Sequence, residues 1–129
     1  MDAQHKQKPT ASELEILQVL WERGPSTVRE VYEAVSIGRP IGYTTILKLL
    51  QIMTVKGTVR RNEKERAHVY EACEPAEKTK RKLAADVLQR VFDGSASQLM
   101  LHALAARRGS KQEIEELRQL LDEYERKLR

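Results

Sequence analysis

Apolar residues return at helical spacing in the first stretch of the chain: Leu14, Leu17, Val19, Leu20 and Trp21. That period predicts an amphipathic helix with Trp21 in the core. Thr10-Ala-Ser-Glu13 has the form of a capping box at its start, and Gly24-Pro25 stops it. Ser26 or Thr27 then caps a second helix with Val28, Val31, Tyr32 and Val35 on one side. Gly38, Pro40 and Gly42 punctuate a loop over residues 37–42. A third helix is predicted from Tyr43 to Lys56, ending at Gly57.

After Gly57 the period changes. Residues 58–62 and 67–72 are rich in β-branched and aromatic side chains, and a polar turn, 63–66, lies between them. This reads as a β-hairpin. Three short helices followed by a hairpin is the plan of a winged helix-turn-helix. Glu74-Pro75 marks a boundary, and the chain is helical again beyond it. Helices are predicted over about 76–92, about 96–106, and from Ser110 onward, where Ser-Lys-Gln-Glu113 reads as another capping box. The predicted fold class is mainly α (α+β).

Rotated at about 100° per residue, the third helix gathers Ile46, Leu49, Leu50 and Met53 toward the core. Thr44, Lys48, Gln51 and Val55 face the opposite way, with Thr45 and Ile52 on one edge. A face of Thr, Lys and Gln suits the major groove. Gln bonds adenine at N6 and N7, Lys reaches guanine or phosphate, and the Thr methyl touches thymine. In a helix-turn-helix the N-terminal residues of this helix lie nearest the bases.

Charge sharpens this picture. The whole chain carries a net +4, and residues 43–68 alone account for it. They hold six basic side chains, Lys48, Lys56, Arg60, Arg61, Lys64 and Arg66, against Glu63 and Glu65. Positive potential is thus concentrated on the third helix and the hairpin. Arg60, Arg61, Lys64 and Arg66 are candidates to hold phosphates, which supply non-specific, salt-dependent affinity. Ser26 and Thr27, at a helix N-terminus, are further candidates through backbone N–H groups. The predicted partner is double-stranded DNA.

The C-terminal segment carries an apolar stripe of Ile114, Leu117, Leu120, Leu121, Tyr124 and Leu128, preceded by Leu99, Met100, Leu101 and Leu104. Residues 75–129 are too few to bury three amphipathic helices alone. A second copy would cover the stripe, and a two-fold dimer is the commonest oligomer. The expected organisation is a disordered arm over 1–9, a winged-helix DNA-binding domain over 10–73 and a helical dimerisation domain over 74–129.

Other classes find little support. Length and a 40% apolar fraction allow one compact domain, or two small ones sharing a core. Cys73 is the only cysteine, so neither an intrachain disulfide nor a cysteine-based zinc cluster can form, and the chain reads as reduced and cytoplasmic. At a strand end, Cys73 reads as a small apolar filler rather than a redox switch. His5, His68 and His102 are too scattered to suggest a shared metal site. No apolar run approaches the roughly 18–20 residues of a membrane span, and the polar Met1–Pro9 lacks the apolar stretch of a signal peptide. No Gly-rich phosphate loop, His-Glu-x-x-His motif or nucleophile with a partner base occurs, so no enzyme, catalytic residue or cofactor is expected.

Several motifs, taken in order, resemble the penicillinase-repressor family (BlaI/MecI type) over about residues 10–122. They are Leu14-Glu-Ile-Leu-Gln-Val-Leu-Trp21, Ser26-Thr-Val-Arg-Glu-Val31, Tyr43-Thr-Thr-Ile-Leu47, Lys56-Gly57, His68-Val-Tyr70, Phe92-Asp-Gly-Ser95 and Glu115-Glu-Leu117. The resemblance implies a homodimer that represses from a palindromic operator, with C-terminal helices interlocking between partners. It also implies induction through a membrane sensor protease, by a cut in the second C-terminal helix near Leu101-His102-Ala103, with resistance or sensor genes as targets. This chain has Ile52 where the family often has Arg, and it lacks the C-terminal cysteines of the copper-responsive branch. Two rival readings are a winged helix used as a protein-interaction module and a ligand-sensing winged-helix regulator of another family. The basic wing and polar third helix argue against the first. The second would need a pocket, for which the sequence shows no excess of aromatic or polar residues.

Overall fold

The computed structural model describes residues 8–64 and 66–129. His5, Glu65 and most of the expected arm lie outside the described residues. Helix α1 spans Ala11–Arg23. Thr10 and Glu13 form the predicted capping box: the Thr10 hydroxyl accepts the Glu13 N–H at 3.2 Å, and the Glu13 carboxylate accepts the Thr10 N–H at 3.1 Å. Strand β1 (Ser26–Thr27) leads into helix α2 (Val28–Gly38), which Thr27 caps. Sequence reasoning ended this helix before Ile37. Instead the helix runs through Ile37 and Gly38, because a single glycine in the last turn costs only about 1 kcal/mol and breaks no hydrogen bond.

Helix α3 (Tyr43–Lys56) stops where Gly57 adopts a left-handed conformation, φ 86°, and donates its N–H to the Met53 carbonyl at 3.0 Å. That turn launches the wing, strands β2 (Val59–Asn62) and β3 (Val69–Ala72), each shorter than its predicted segment. The sheet is antiparallel in the order β1-β3-β2, with Ser26 opposite Tyr70 and Arg61 opposite Tyr70 from the other side.

One core holds α1, α2, α3 and the sheet together. Ile16, Leu17, Leu20, Val31, Val35, Ile46, Leu50, Met53, Val59 and Tyr70 are buried in it. Trp21 is half-buried against this core, and its indole N–H donates to the Glu74 carbonyl at 3.0 Å. Helix α4 (Ala76–Phe92) begins just beyond.

The chain divides into two compact units, one ending at Leu83 and one spanning Ala84–Arg129. In the second unit, α4 ends at Asp93-Gly94, both at positive φ. Helix α5 (Ala96–Ala106) is capped by Ser95, and helix α6 (Lys111–Lys127) by Ser110. The expected capping box at Ser110 is only half formed. Its hydroxyl accepts the Glu113 N–H at 3.1 Å, but the Glu113 carboxylate bonds Arg107 at 3.2 Å. Neither α5 nor α6 contains a buried residue.

Candidate nucleic-acid interface

Helix α3 separates its residues by the helical turn. Ile46, Leu50 and Met53 are fully buried, and Leu47 and Leu49 are half-buried. Thr44, Thr45, Lys48, Gln51, Ile52 and Val55 are exposed, Val55 to 90%. The outward face thus carries two hydroxyls, an amide and an ammonium beside two aliphatic side chains. Gly42 caps α3 without a side-chain hydrogen bond, and no acidic residue occupies the first turn. The positive end of the helix dipole is therefore unopposed at Tyr43–Thr45.

The basic residues of 43–68 do not all remain available. Lys56 Nζ donates to both carboxylate oxygens of the buried Glu13, at 2.9 and 3.0 Å, so its charge is compensated inside the fold. Arg60 bonds Glu71 across the β2–β3 pair, and this hydrogen bond raises the guanidinium pKa. Arg61 bonds Glu63 at 2.6 Å. Among the described residues, Lys48, Lys64 and Arg66 form no ion pair. The free potential of residues 43–68 is lower than their net charge, because Glu13 and Glu71 lie outside that stretch and compensate Lys56 and Arg60.

Ser26 and Thr27 have side-chain partners within the fold. Ser26 is 2% exposed and its hydroxyl donates to the Gly24 carbonyl at 2.8 Å. The Thr27 N–H donates to the Glu30 carboxylate at 2.8 Å, and the Thr27 hydroxyl accepts the Glu30 N–H at 3.2 Å. Hydrogen bonding to the carboxylate from Thr27, from its backbone N–H first and then from its side chain, holds the Glu30 carboxyl below its ordinary pKa. Of the backbone N–H groups named as phosphate candidates, that of Thr27 is thus engaged by Glu30.

A cleft of about 360 Å³ opens beside this surface. Thr27 and Arg29 line it from the start of α2, Tyr43 and Leu47 from α3, and Arg66 and His68 from the wing. The Arg29 guanidinium lies 5.5 Å from the Tyr43 ring centroid, and Tyr32 meets the same ring edge-on at 5.7 Å. Sequence reasoning gave Arg29 and Tyr43 no role. Nothing in a linear pattern pairs two residues from different helices, although the lone basic residue in the first turn of α2 was a usable hint.

In the unit Ala84–Arg129, Leu99 and Leu117 are half-buried. Leu101, Leu104, Ile114, Leu120, Leu121 and Tyr124 are exposed. His102 and Ala103 are exposed as well, and the His102 ring lies 5.6 Å from that of Phe92. Among the described residues, no helix is long and apolar enough to cross a membrane, and no group of three or more His, Cys, Asp or Glu is placed to hold a metal ion.

The family model for the penicillinase repressor matches residues 9–123. The chain belongs to the penicillinase repressor family. It is 33% identical over 111 residues to the transcriptional regulator BlaI of Mycobacterium tuberculosis, covering 85% of this chain and 80% of that protein. It is 22% identical over 113 residues to the methicillin resistance regulatory protein MecI of Staphylococcus aureus, covering 88% and 92%. A penicillinase repressor of the same organism is 22% identical over 116 residues, covering 90% and 92%. Membership of the penicillinase repressor family places the chain among transcriptional regulators and not among enzymes.

Proposed function

We propose that this protein is a cytoplasmic, sequence-specific repressor that binds a palindromic duplex operator as a homodimer. The observation that carries the reading is the outward face of α3. Thr44, Thr45, Lys48 and Gln51 stand exposed on a helix whose opposite side is locked into the core. In this reading they meet base edges, and Ile52 and Val55 meet thymine methyl groups. Lys64 and Arg66 neutralise phosphates from the wing, and Arg60 and Arg61 contribute once they exchange their carboxylate partners for phosphate.

Dimerisation is supported by Leu101, Leu104, Ile114, Leu120, Leu121 and Tyr124, apolar side chains left exposed on α5 and α6. A two-fold dimer sets the half-sites about one helical turn apart, roughly 34–36 Å, or a multiple of it. The relatives named for methicillin resistance and penicillinase favour antibiotic-resistance genes as targets. Induction by a membrane sensor protease, with a cut near Leu101-His102-Ala103, is in keeping with the exposure of that stretch.

The test is a titration of the protein against the DNA upstream of its own gene, at two salt concentrations, with random duplex as control. Tighter binding to the upstream DNA, weakening with salt, is expected. Salt-sensitive binding no better than to random duplex would remove that DNA as operator, and absence of any binding would favour a protein-interaction module.

A further inference from the structure

We infer that the cleft between α2, α3 and the wing seats one phosphate group of the DNA backbone, held by Arg29 and Arg66 with the Tyr43 hydroxyl as a further donor. The inference rests on the DNA-binding reading above and adds residues to it.

Three observations converge on an anion. The cleft is concave and open, and among the described residues its titratable lining side chains are Arg29, Tyr43, Arg66 and His68, with no carboxylate; Glu63, 3.8 Å from His68, is bonded to Arg61. Arg29 is already positioned, because its guanidinium rests over the Tyr43 ring and Tyr32 braces that ring from the side. A guanidinium drawn to the face of an aromatic ring still has N–H groups to offer an oxyanion. Ordering it before the ligand arrives lowers the entropic cost of binding. The acid next to it in the chain, Glu30, is engaged by Thr27 and by Arg23 at 3.7 Å. It therefore does not compete for Arg29.

Placement decides the kind of anion. The same cleft is lined by Tyr43, the first residue of α3, and by wing residues Arg66 and His68. It sits beside the face proposed to enter the major groove, where the flanking strand of a duplex would run. A phosphodiester there fixes the register of α3 without reading sequence.

The experiment measures binding to a labelled random duplex across a salt series, for the wild type and for Arg29→Ala, Arg29→Lys, Arg66→Ala and Lys48→Ala. Arg29→Ala and Arg66→Ala are each expected to lose about eightfold in affinity near 0.1 M salt and to flatten the log–log salt slope by about 0.9. Arg29→Lys keeps the slope. Arg66 makes no ion pair among the described residues, so its variant folds even if removing Arg29 disturbs α2. Unchanged slopes in both alanine variants, with Lys48→Ala still weakened, would overturn the seat and leave the DNA-binding reading standing. Displacement of duplex by inorganic phosphate beyond that by chloride at matched ionic strength would assign the cleft to a free anion instead. A wild type that binds no duplex at low salt would overturn both.

Discussion

Lys56 Nζ reaches both carboxylate oxygens of Glu13, at 2.9 and 3.0 Å, and so ties the last turn of α3 to the first turn of α1. Glu13 is almost fully buried, whereas the Lys56 side chain keeps about a quarter of its surface in water. A buried carboxylate left alone is costly, so removing its partner costs more than the pair itself contributes. Lys56→Ala is expected to lower unfolding stability by about 3 kcal/mol in urea. It is also expected to leave the salt slope of DNA binding unchanged, because Lys56 lends no net charge to the surface. A flattened slope with unaltered stability would add Lys56 to the DNA-binding set.

Trp21 and Glu74 join α1 to the start of α4 through the indole–carbonyl bond at 3.0 Å. The Glu74 carboxylate accepts from the Lys82 ammonium at 2.7 Å and from the Thr79 hydroxyl at 3.0 Å. The Lys82 bond, followed by that of Thr79, holds the Glu74 carboxyl below its ordinary value of 4.5 against the opposing effect of burial. A depressed folded-state pKa means stability that is present above the unfolded value and lost as pH falls through the folded one. Glu74→Gln should therefore be less stable than the wild type at pH 7, and the difference should close as pH falls below the ordinary 4.5. Trp21, the only tryptophan, reports the transition by fluorescence. A difference that stays constant through the acid range would show that the Glu74 charge has no part in it.

Thr27 separates a structural role from a DNA-contact role. Its hydroxyl caps α2, so Thr27→Ala should cost about 1 kcal/mol of stability. Affinity for duplex should be retained. Lost affinity with full stability would mean that the hydroxyl meets phosphate after all.

Leu117 and Leu121 test the dimer. Leu121 is 68% exposed on α6, and Leu117 is half-buried on the same helix. Replacing both with Glu should yield a monomer by sedimentation that binds upstream DNA weakly, since one half-site must then act alone. A double variant that sediments as a dimer would place the interface elsewhere.

Much of this fold was legible in advance, for local reasons. The box at Thr10, the stop at Gly57 and the cap at Ser110 depend on residues within four positions of one another. The two sides of α3 follow from its turn alone. What escaped depends on distance in sequence or on brevity. Strand β1 has two residues, too few for an alternating pattern, and exists because β3 supplies its partners. Lys56 and Glu13 lie 43 positions apart, so the loss of one basic residue from the surface was invisible. Ser26 carries a hydroxyl that a linear pattern leaves open to a cap or a surface role, and its burial opposite Tyr70 is set by β3. The cleft needed three elements to meet.

The central claim is that α3 reads bases while the wing holds the backbone. The most direct test compares Gln51→Ala with Lys64→Ala on upstream DNA and on random duplex. Gln51→Ala is expected to lower the ratio of specific to random affinity, by an amount equivalent to about 1–3 kcal/mol, with the salt slope intact. Lys64→Ala is expected to weaken binding to both duplexes equally and to flatten the slope by about 0.9. Equal losses on both duplexes for both variants, with equal slopes, would contradict that claim.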